Sequence, residues 1–400
     1  QHEEINDQLS EWNMIDSSGF SLPKTPDSIG YTNPSLQPNQ SLELLDVLKT
    51  KVNVSSNRVM GYVQNNWEWT TKDSLEMTFT GGLRINYWDL NNQTLISPRA
   101  SFSIKPNWKK DVIFRAAAGF YSQQPFYREL RDLQGVIHTD VKAQESIHVV
   151  LGGDYNFKAW NRPFKLVSEI YYKHLSNLIP YEIDNVRIRY YANNNAKGFA
   201  TGIDLKVNGE FVRGVESWVS MSVMQTKEDI LDDYYYEYYN QDGEKIIAGY
   251  TYDQVATDSA RFEPGYIPRP TDQRVNFSLV FQDYLPRNPN FKMHLNLVLG
   301  TGLPFGPPSF ERYKDTLHIP AYRRVDIGFS AQLVREGSEL KQKNPLRHLK
   351  SMWVSLEVFN LLGINNTISY LWIKDVTNRQ YAVPNFLTSR MLNLKLFAKF

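Results

Sequence analysis

The chain ends Arg390-Met-Leu-Asn-Leu-Lys-Leu-Phe-Ala-Lys-Phe400, and this stretch decides the fold. Side chains on a strand alternate with period two, so Leu392, Leu394, Leu396, Ala398 and Phe400 fall on one face. Asn393, Lys395 and Lys399 fall on the other. The apolar face needs cover, either from a second layer of protein or from lipid. The pattern predicts lipid: an all-β chain forming a transmembrane antiparallel β-barrel, whose last strand presents Leu394, Leu396, Ala398 and Phe400 to the bilayer.

The same division recurs upstream. Met77, Phe79, Leu83 and Ile85 alternate with Thr78, Thr80, Arg84 and Asn86, and Val149, Leu151, Tyr155 and Phe157 with His148, Asp154 and Asn156. Ile203, Leu205 and Val207 alternate with Asp204, Lys206 and Asn208, and Val275, Phe277 and Leu279 with Arg274, Asn276 and Ser278. Further on, Phe291, Met293 and Leu295 oppose Lys292, His294 and Asn296; Val325, Ile327 and Phe329 oppose Arg324, Asp326 and Ser330; Val354, Leu356 and Val358 oppose Ser355 and Glu357. A Lys or Arg facing lipid at the midplane costs about 2–4 kcal/mol. Arg84, Asp154, Asp204, Lys206, Arg274, Lys292, His294, Arg324, Asp326 and Glu357 are therefore expected to face a lumen.

Soluble antiparallel sheets also alternate, so connection lengths must discriminate. Short connections are expected at 71–74, 107–110, 160–163, 212–214 and 286–290, and long ones at 124–143, 229–270 and 303–320. Tight turns on one side and long loops on the other is the asymmetry of outer-membrane barrels. Two connections break it, a short one near Asn91 and a long one at 336–350. Residues 1–55 are polar without an evident period and are expected to be an extracellular loop region; 56–400 hold about thirteen strands with long extracellular loops. Single-chain bacterial barrels have even counts, so an odd number of strands is expected upstream.

Composition excludes other classes. Net charge is +1, from 44 basic and 43 acidic residues, and no basic stripe points to nucleic acid. With no cysteine there is no disulfide, thiolate metal site or Cys nucleophile. No run approaches the roughly 18 apolar residues of a membrane helix. The chain opens on Gln1 without an initiator Met or a signal peptide, as a processed product, a fragment or one part of a longer protein would.

Four stretches together carry a family resemblance: 95–102 (LISPRASF), 195–205 (NAKGFATGIDL), 319–328 (IPAYRRVDIG) and 354–366 (VSLEVFNLLGINN), ahead of the aromatic terminal strand. From residue 56 on, the chain resembles the C-terminal barrel portion of a TonB-dependent outer-membrane receptor, and its long aromatic loops are similar to those of Bacteroidetes members. The resemblance implies a 22-stranded barrel filled by an N-terminal plug, with the plug and the TonB-engaging segment lying outside these residues. It implies nutrient import driven through TonB, with a glycan, a peptide, or chelated iron or cobalamin as ligand, and a surface lipoprotein as a possible partner. Most lumen charges would then hold the plug. The terminal strand, Leu394 to Phe400, would be the signal for the outer-membrane insertion machinery, although Lys395 stands where a small residue is common.

Chemistry-bearing motifs are few. Gly300-Thr-Gly-Leu-Pro-Phe-Gly306 has the wrong spacing for a phosphate loop, and Pro307 and Pro308 follow where a helix would have to begin. The seven histidines lack His-x-x-x-His spacing, and there is no Gly-x-Ser-x-Gly elbow, so no metal, cofactor or enzymatic activity is expected. The most unusual loop is Asp232-Asp-Tyr-Tyr-Tyr-Glu-Tyr-Tyr-Asn-Gln-Asp-Gly243. Tyr234, Tyr235, Tyr236, Tyr238 and Tyr239 offer rigid amphipathic area for a ligand or partner protein. The alternative is a hairpin turned at Asp242-Gly243 with its tyrosines packed on neighbouring loops. Its carboxylates lack calcium-loop spacing. A rival to import remains, a receptor-like barrel serving as a structural or docking subunit of a larger complex.

Overall fold

The computed structural model describes residues 1–16, 42–247, 250–285, 288–307, 314, 316–337, 344–374 and 379–400. Its strands are β1 (His2–Asp16), β2 (Leu42–Thr70), β3 (Glu76–Trp88), β4 (Gln93–Lys105), β5 (Asp111–Gln123), β6 (Gln144–Ala159) and β7 (Arg162–Leu178). There follow β8 (Tyr181–Asp184), β9 (Arg187–Tyr190), β10 (Ala196–Val212), β11 (Val215–Ile230), β12 (Tyr235–Tyr239), β13 (Asp258–Phe262), β14 (Tyr266–Pro268), β15 (Val275–Leu285) and β16 (Asn288–Gly300). The last are β17 (Pro304–Phe305), β18 (Leu317–His318), β19 (Tyr322–Val334), β20 (Ser351–Phe359), β21 (Thr367–Lys374), β22 (Gln380–Phe386) and β23 (Met391–Lys399).

One antiparallel sheet runs β1-β2-β3-β4-β5-β6-β7-β10-β11-β15-β16-β19-β20-β23, and each neighbour is the next long strand in sequence. Such a meander pairs each strand with the next along the chain, through short turns at one end and long loops at the other. Among the described residues the two end strands, β1 and β23, pair on one side only, so these strands form an open portion of a barrel wall.

β2 explains the strand count. Arg58 to Thr70 pairs with β3, whereas Leu42 to Asn57 pairs only with β1. The β1–β2 hairpin therefore stands above the level of Trp88, where β3 ends, and β1 does not cross the wall with the thirteen strands from β2 to β23. This corrects the expectation of an aperiodic loop over residues 1–55, of which 17–41 lie outside the described residues. Glu3, Ile5, Asp7, Leu9 and Glu11 share the packed face of β1, opposite Ser56, Val54, Val52, Thr50 and Leu48. Carboxylates interrupt the apolar positions, so hydrophobicity alone conceals the period.

Among the described residues there is no central apolar core. Two small clusters of buried apolar residues lie near the loop end of the wall: Trp88, Leu130, Val141 and Ile179; and Leu175, Leu178, Ala196, Ile230 and Ile267. Elsewhere the apolar face of the sheet is bare, with Leu394 72% and Leu396 65% exposed on β23. Aromatic rings collect where this face meets the short turns. Trp67 contacts Phe79, Trp69 contacts Phe102 and Trp108 contacts Phe114, and Phe164 lies 5.6 Å from Phe157 and 5.1 Å from Phe211 between ring centroids. At the loop end Phe199 bridges Tyr172 and Tyr266. An apolar band between two aromatic belts is the surface of a protein spanning a bilayer.

Short turns occupy 71–75, 106–110, 160–161 and 213–214, and Asn161 and Gly214 adopt the left-handed backbone that such turns need. Residues 286–287 of another turn, 308–313 and 315 of the loop between β16 and β19, and 338–343 of the connection after β19 lie outside the described residues. Two long connections have no counterpart among those expected from the sequence: 179–195, which carries β8 and β9, and 360–390, which carries β21 and β22.

Candidate functional site at the extracellular mouth

The polar face of the wall carries many paired polar and charged side chains, most of them across strands. Asp154 on β6 accepts from Arg115 Nη2 at 2.7 Å and lies 2.7 Å from Lys165 Nζ, and Arg115 also reaches Glu169 at 3.3 Å. Glu357 on β20 holds Lys395 Nζ at 2.8 Å and Asn393 Nδ2 at 2.9 Å, with His294 3.8 Å away. Asp326 is held by Arg324 Nε at 2.7 Å and accepts from Asn360 N at 2.8 Å. Lys292 lies over Trp353 at 4.7 Å, and Lys206 over Trp218 at 5.2 Å. Arg274 precedes β15 and donates to buried Asp272 at 2.8 Å, while Arg84 contacts Met60 Sδ. Serine pairs fill the gaps, Ser220 with Ser278 and Ser330 with Ser355. Near the short turns lies a hollow of about 860 Å³, lined by Lys158, Lys165, Glu210 and Glu216 together with the aromatic residues Tyr155, Phe157 and Phe164.

Above this face the loops are tied to β1. Glu3 accepts from Tyr127 at 2.7 Å and pairs with Arg58 at 3.4 Å; Asp7 pairs with Arg131; Glu11 pairs with Arg187 and Arg189, each at 3.0 Å. Three carboxylates at four-residue spacing on one strand face thus receive arginines from different parts of the chain. In loop 124–143 Asp132 folds an Asx turn, accepting from Gln134 N, Val136 N and His138 Nε2. Burial tends to raise its pKa, and these hydrogen bonds together hold it below the usual carboxylate value. Burial pushes Glu129 up, against hydrogen bonds from Phe126 N and Gln144.

The tyrosine stretch becomes strand β12, paired with β13. Tyr234, Tyr236 and Tyr238 point outward, each between 43% and 51% exposed, with ring centroids 5.8 and 6.4 Å apart in succession. Tyr235 turns the other way and stacks on Phe262, and Tyr239 donates to Glu237 at 2.9 Å. The five tyrosines therefore divide between two faces. The Asp242-Gly243 turn exists as a local loop closed by the Asn240 side chain, but the partner of β12 is β13. At its base Asp233 is pushed up to about 6, by burial first and then by Asp229 and Glu263. Among the described residues no group of three or more His, Asp or Glu could hold a metal ion.

The family model of the TonB dependent receptor-like β-barrel matches residues 5–361. The chain belongs to that family. A search of curated proteins returned no match. Among solved structures, the outer-membrane transporter YddB from Escherichia coli aligns with 100% of this chain at TM-score 0.56 and 14% identity, over 50% of its own length. A point mutant of the ferric enterobactin receptor PfeA from Pseudomonas aeruginosa aligns with 100% at TM-score 0.53 and 14% identity, over 53% of its length. The copper transporter OprC aligns with 88% at TM-score 0.51 and 11% identity, over 49% of its length. At such identities the likeness is one of fold, and the chain spans about half the length of these receptors. It shares with them the β-barrel wall of an outer-membrane protein.

Alternation in the sequence brings the charged set to one face but does not reveal what holds the mouth together. Arg131, Arg187, Arg189 and the β1 carboxylates carry no motif. The Asp184-Asn185 dipeptide, where β8 enters its turn between alternating segments, is the available signal for β8 and β9.

Proposed function

We propose that this barrel belongs to a receptor that imports a nutrient across the outer membrane, its loops capturing a glycan, peptide or metal chelate at the mouth. TonB acts through a plug held by the lumen charges. The observation that carries this is the charged lumen face, with paired groups such as Arg115–Asp154 and Lys395–Glu357, lying beneath a mouth built from converging loops. The transporters and the ferric enterobactin receptor among its structural neighbours support the same reading. Long aromatic loops support a Bacteroidetes-type member, and the bare apolar face of β23 suits recognition by the insertion machinery. Cells relying on the intact receptor should lose growth on the imported nutrient when either the receptor or TonB is deleted; growth that survives both deletions would end the import reading.

A docking role has its own support in Tyr234, Tyr236 and Tyr238, an exposed aromatic row fit for a surface lipoprotein. The triple alanine variant, correctly inserted, should lose ligand uptake if the row contacts ligand. It should lose a co-purifying lipoprotein with uptake intact if docking is its role.

A further inference from the structure

We infer that the β8–β9 hairpin is a latch across the extracellular mouth, with a fixed base and a releasable tip, and that the tip must part from both its neighbours to admit ligand; this rests on the import reading above. The hairpin springs from the middle of the wall, between β7 and β10. Its arginines reach Glu11 on β1 at 3.0 Å, although five strands lie between β1 and β7. In the other direction Asn185 accepts from Asn385 Nδ2 and from Ser369 Oγ, on the β21–β22 hairpin. That hairpin joins β20 to β23, and four strands lie between β10 and β20. One ten-residue hairpin, Tyr181 to Tyr190, thus ties both ends of the open wall across its mouth.

Base and tip differ in chemistry. At the base, Leu178 and Ile179 sit in the two buried clusters, Tyr190 packs against one of them, and Tyr181 and Tyr190 pair at 5.6 Å. The joints at the tip are polar. Asp184 holds Arg187 at 3.1 Å and Arg189 at 3.0 Å, presenting two guanidinium groups to the carboxylate of Glu11. The side chains of Arg187 and Arg189 are 49% and 25% exposed. Only Arg187 is well exposed, Glu11 and Asp184 being 22% and 21% exposed, yet all of these pairs reach water and compete with it, so they close a joint without locking it. The second joint carries another loop with it, because Phe305 on β17 stacks on Tyr370 of β21 at 4.5 Å.

The test uses accessibility and needs no ligand. These 400 residues contain no cysteine, so Lys173→Cys, on the polar face of β7 below the hairpin, serves as a reporter in the full-length receptor. Intact cells are treated with a membrane-impermeant maleimide. Severing both joints with Arg187→Ala, Arg189→Ala and Asn185→Gly should speed labelling on the order of tenfold, the shift expected from losing several exposed polar contacts. Glycine is chosen because Asn185 has φ 57°, which alanine resists. Arg187→Lys with Arg189→Lys should label at the parent rate. Equal labelling in parent and severed receptor, slow or fast, overturns the latch. Should the severed receptor lose its heat-modifiable mobility, Glu11→Gln, which leaves the hairpin itself untouched, takes its place: labelling should rise by a smaller factor, and an unchanged rate overturns the latch. A receptor whose labelling is gated but which imports nothing would end the import reading and leave the latch standing.

Discussion

At the scale of the residue, the charges of the polar face are legible in sequence but their partners are not. Glu357 is expected on the polar face from alternation alone; that it gathers Lys395, Asn393 and His294 depends on the register of neighbouring strands. Glu357→Leu should leave Lys395 without its carboxylate and lower stability by about 1–3 kcal/mol. The temperature at which the folded electrophoretic form converts to the slow one would show it, and no change would mean that the pair is idle. Lys395, where a small residue was expected, is explained by the same contact: it lies beside the carboxylate of Glu357.

At the scale of the element, hairpins whose packed face is charged are the ones hydrophobicity overlooks. β1 alternates faithfully, but Glu3, Asp7 and Glu11 take positions that a core would give to Leu or Val, since arginines rather than apolar side chains cover them. The β12–β13 hairpin yields a pH prediction. The pKa of Asp233 is raised, so the stability it contributes is complete below the unfolded value near 3.8 and is lost as pH rises through about 6. Amide exchange in residues 231–239, compared between the parent and Asp233→Asn, should show the parent losing protection across that interval while the variant does not. Parallel profiles would remove Asp233 from any role in ordering the hairpin.

At the scale of the whole molecule, the open wall dominates. The Arg58–Thr70 part of β2 presents one edge and β23 the other, and in a bilayer an unpaired edge of backbone groups costs several kcal/mol per group. These 400 residues refolded alone in detergent should therefore aggregate or stay unfolded, whereas co-expression with the remainder of the receptor should give a heat-modifiable barrel. A stable, heat-modifiable species from this portion alone would show that the wall closes on itself.

Alternation along each strand by itself determined that the chain is all-β, that its apolar face meets lipid, and that about thirteen strands cross, because period two is a local property of the extended backbone. The residues that build the mouth were decided only by tertiary structure. Asn185 and Asn385 lie 200 positions apart, and Arg189 and Glu11 lie 178 apart. Their meeting depends on the curvature of the sheet and on the heights of separate loops, and no spacing along the chain encodes either one.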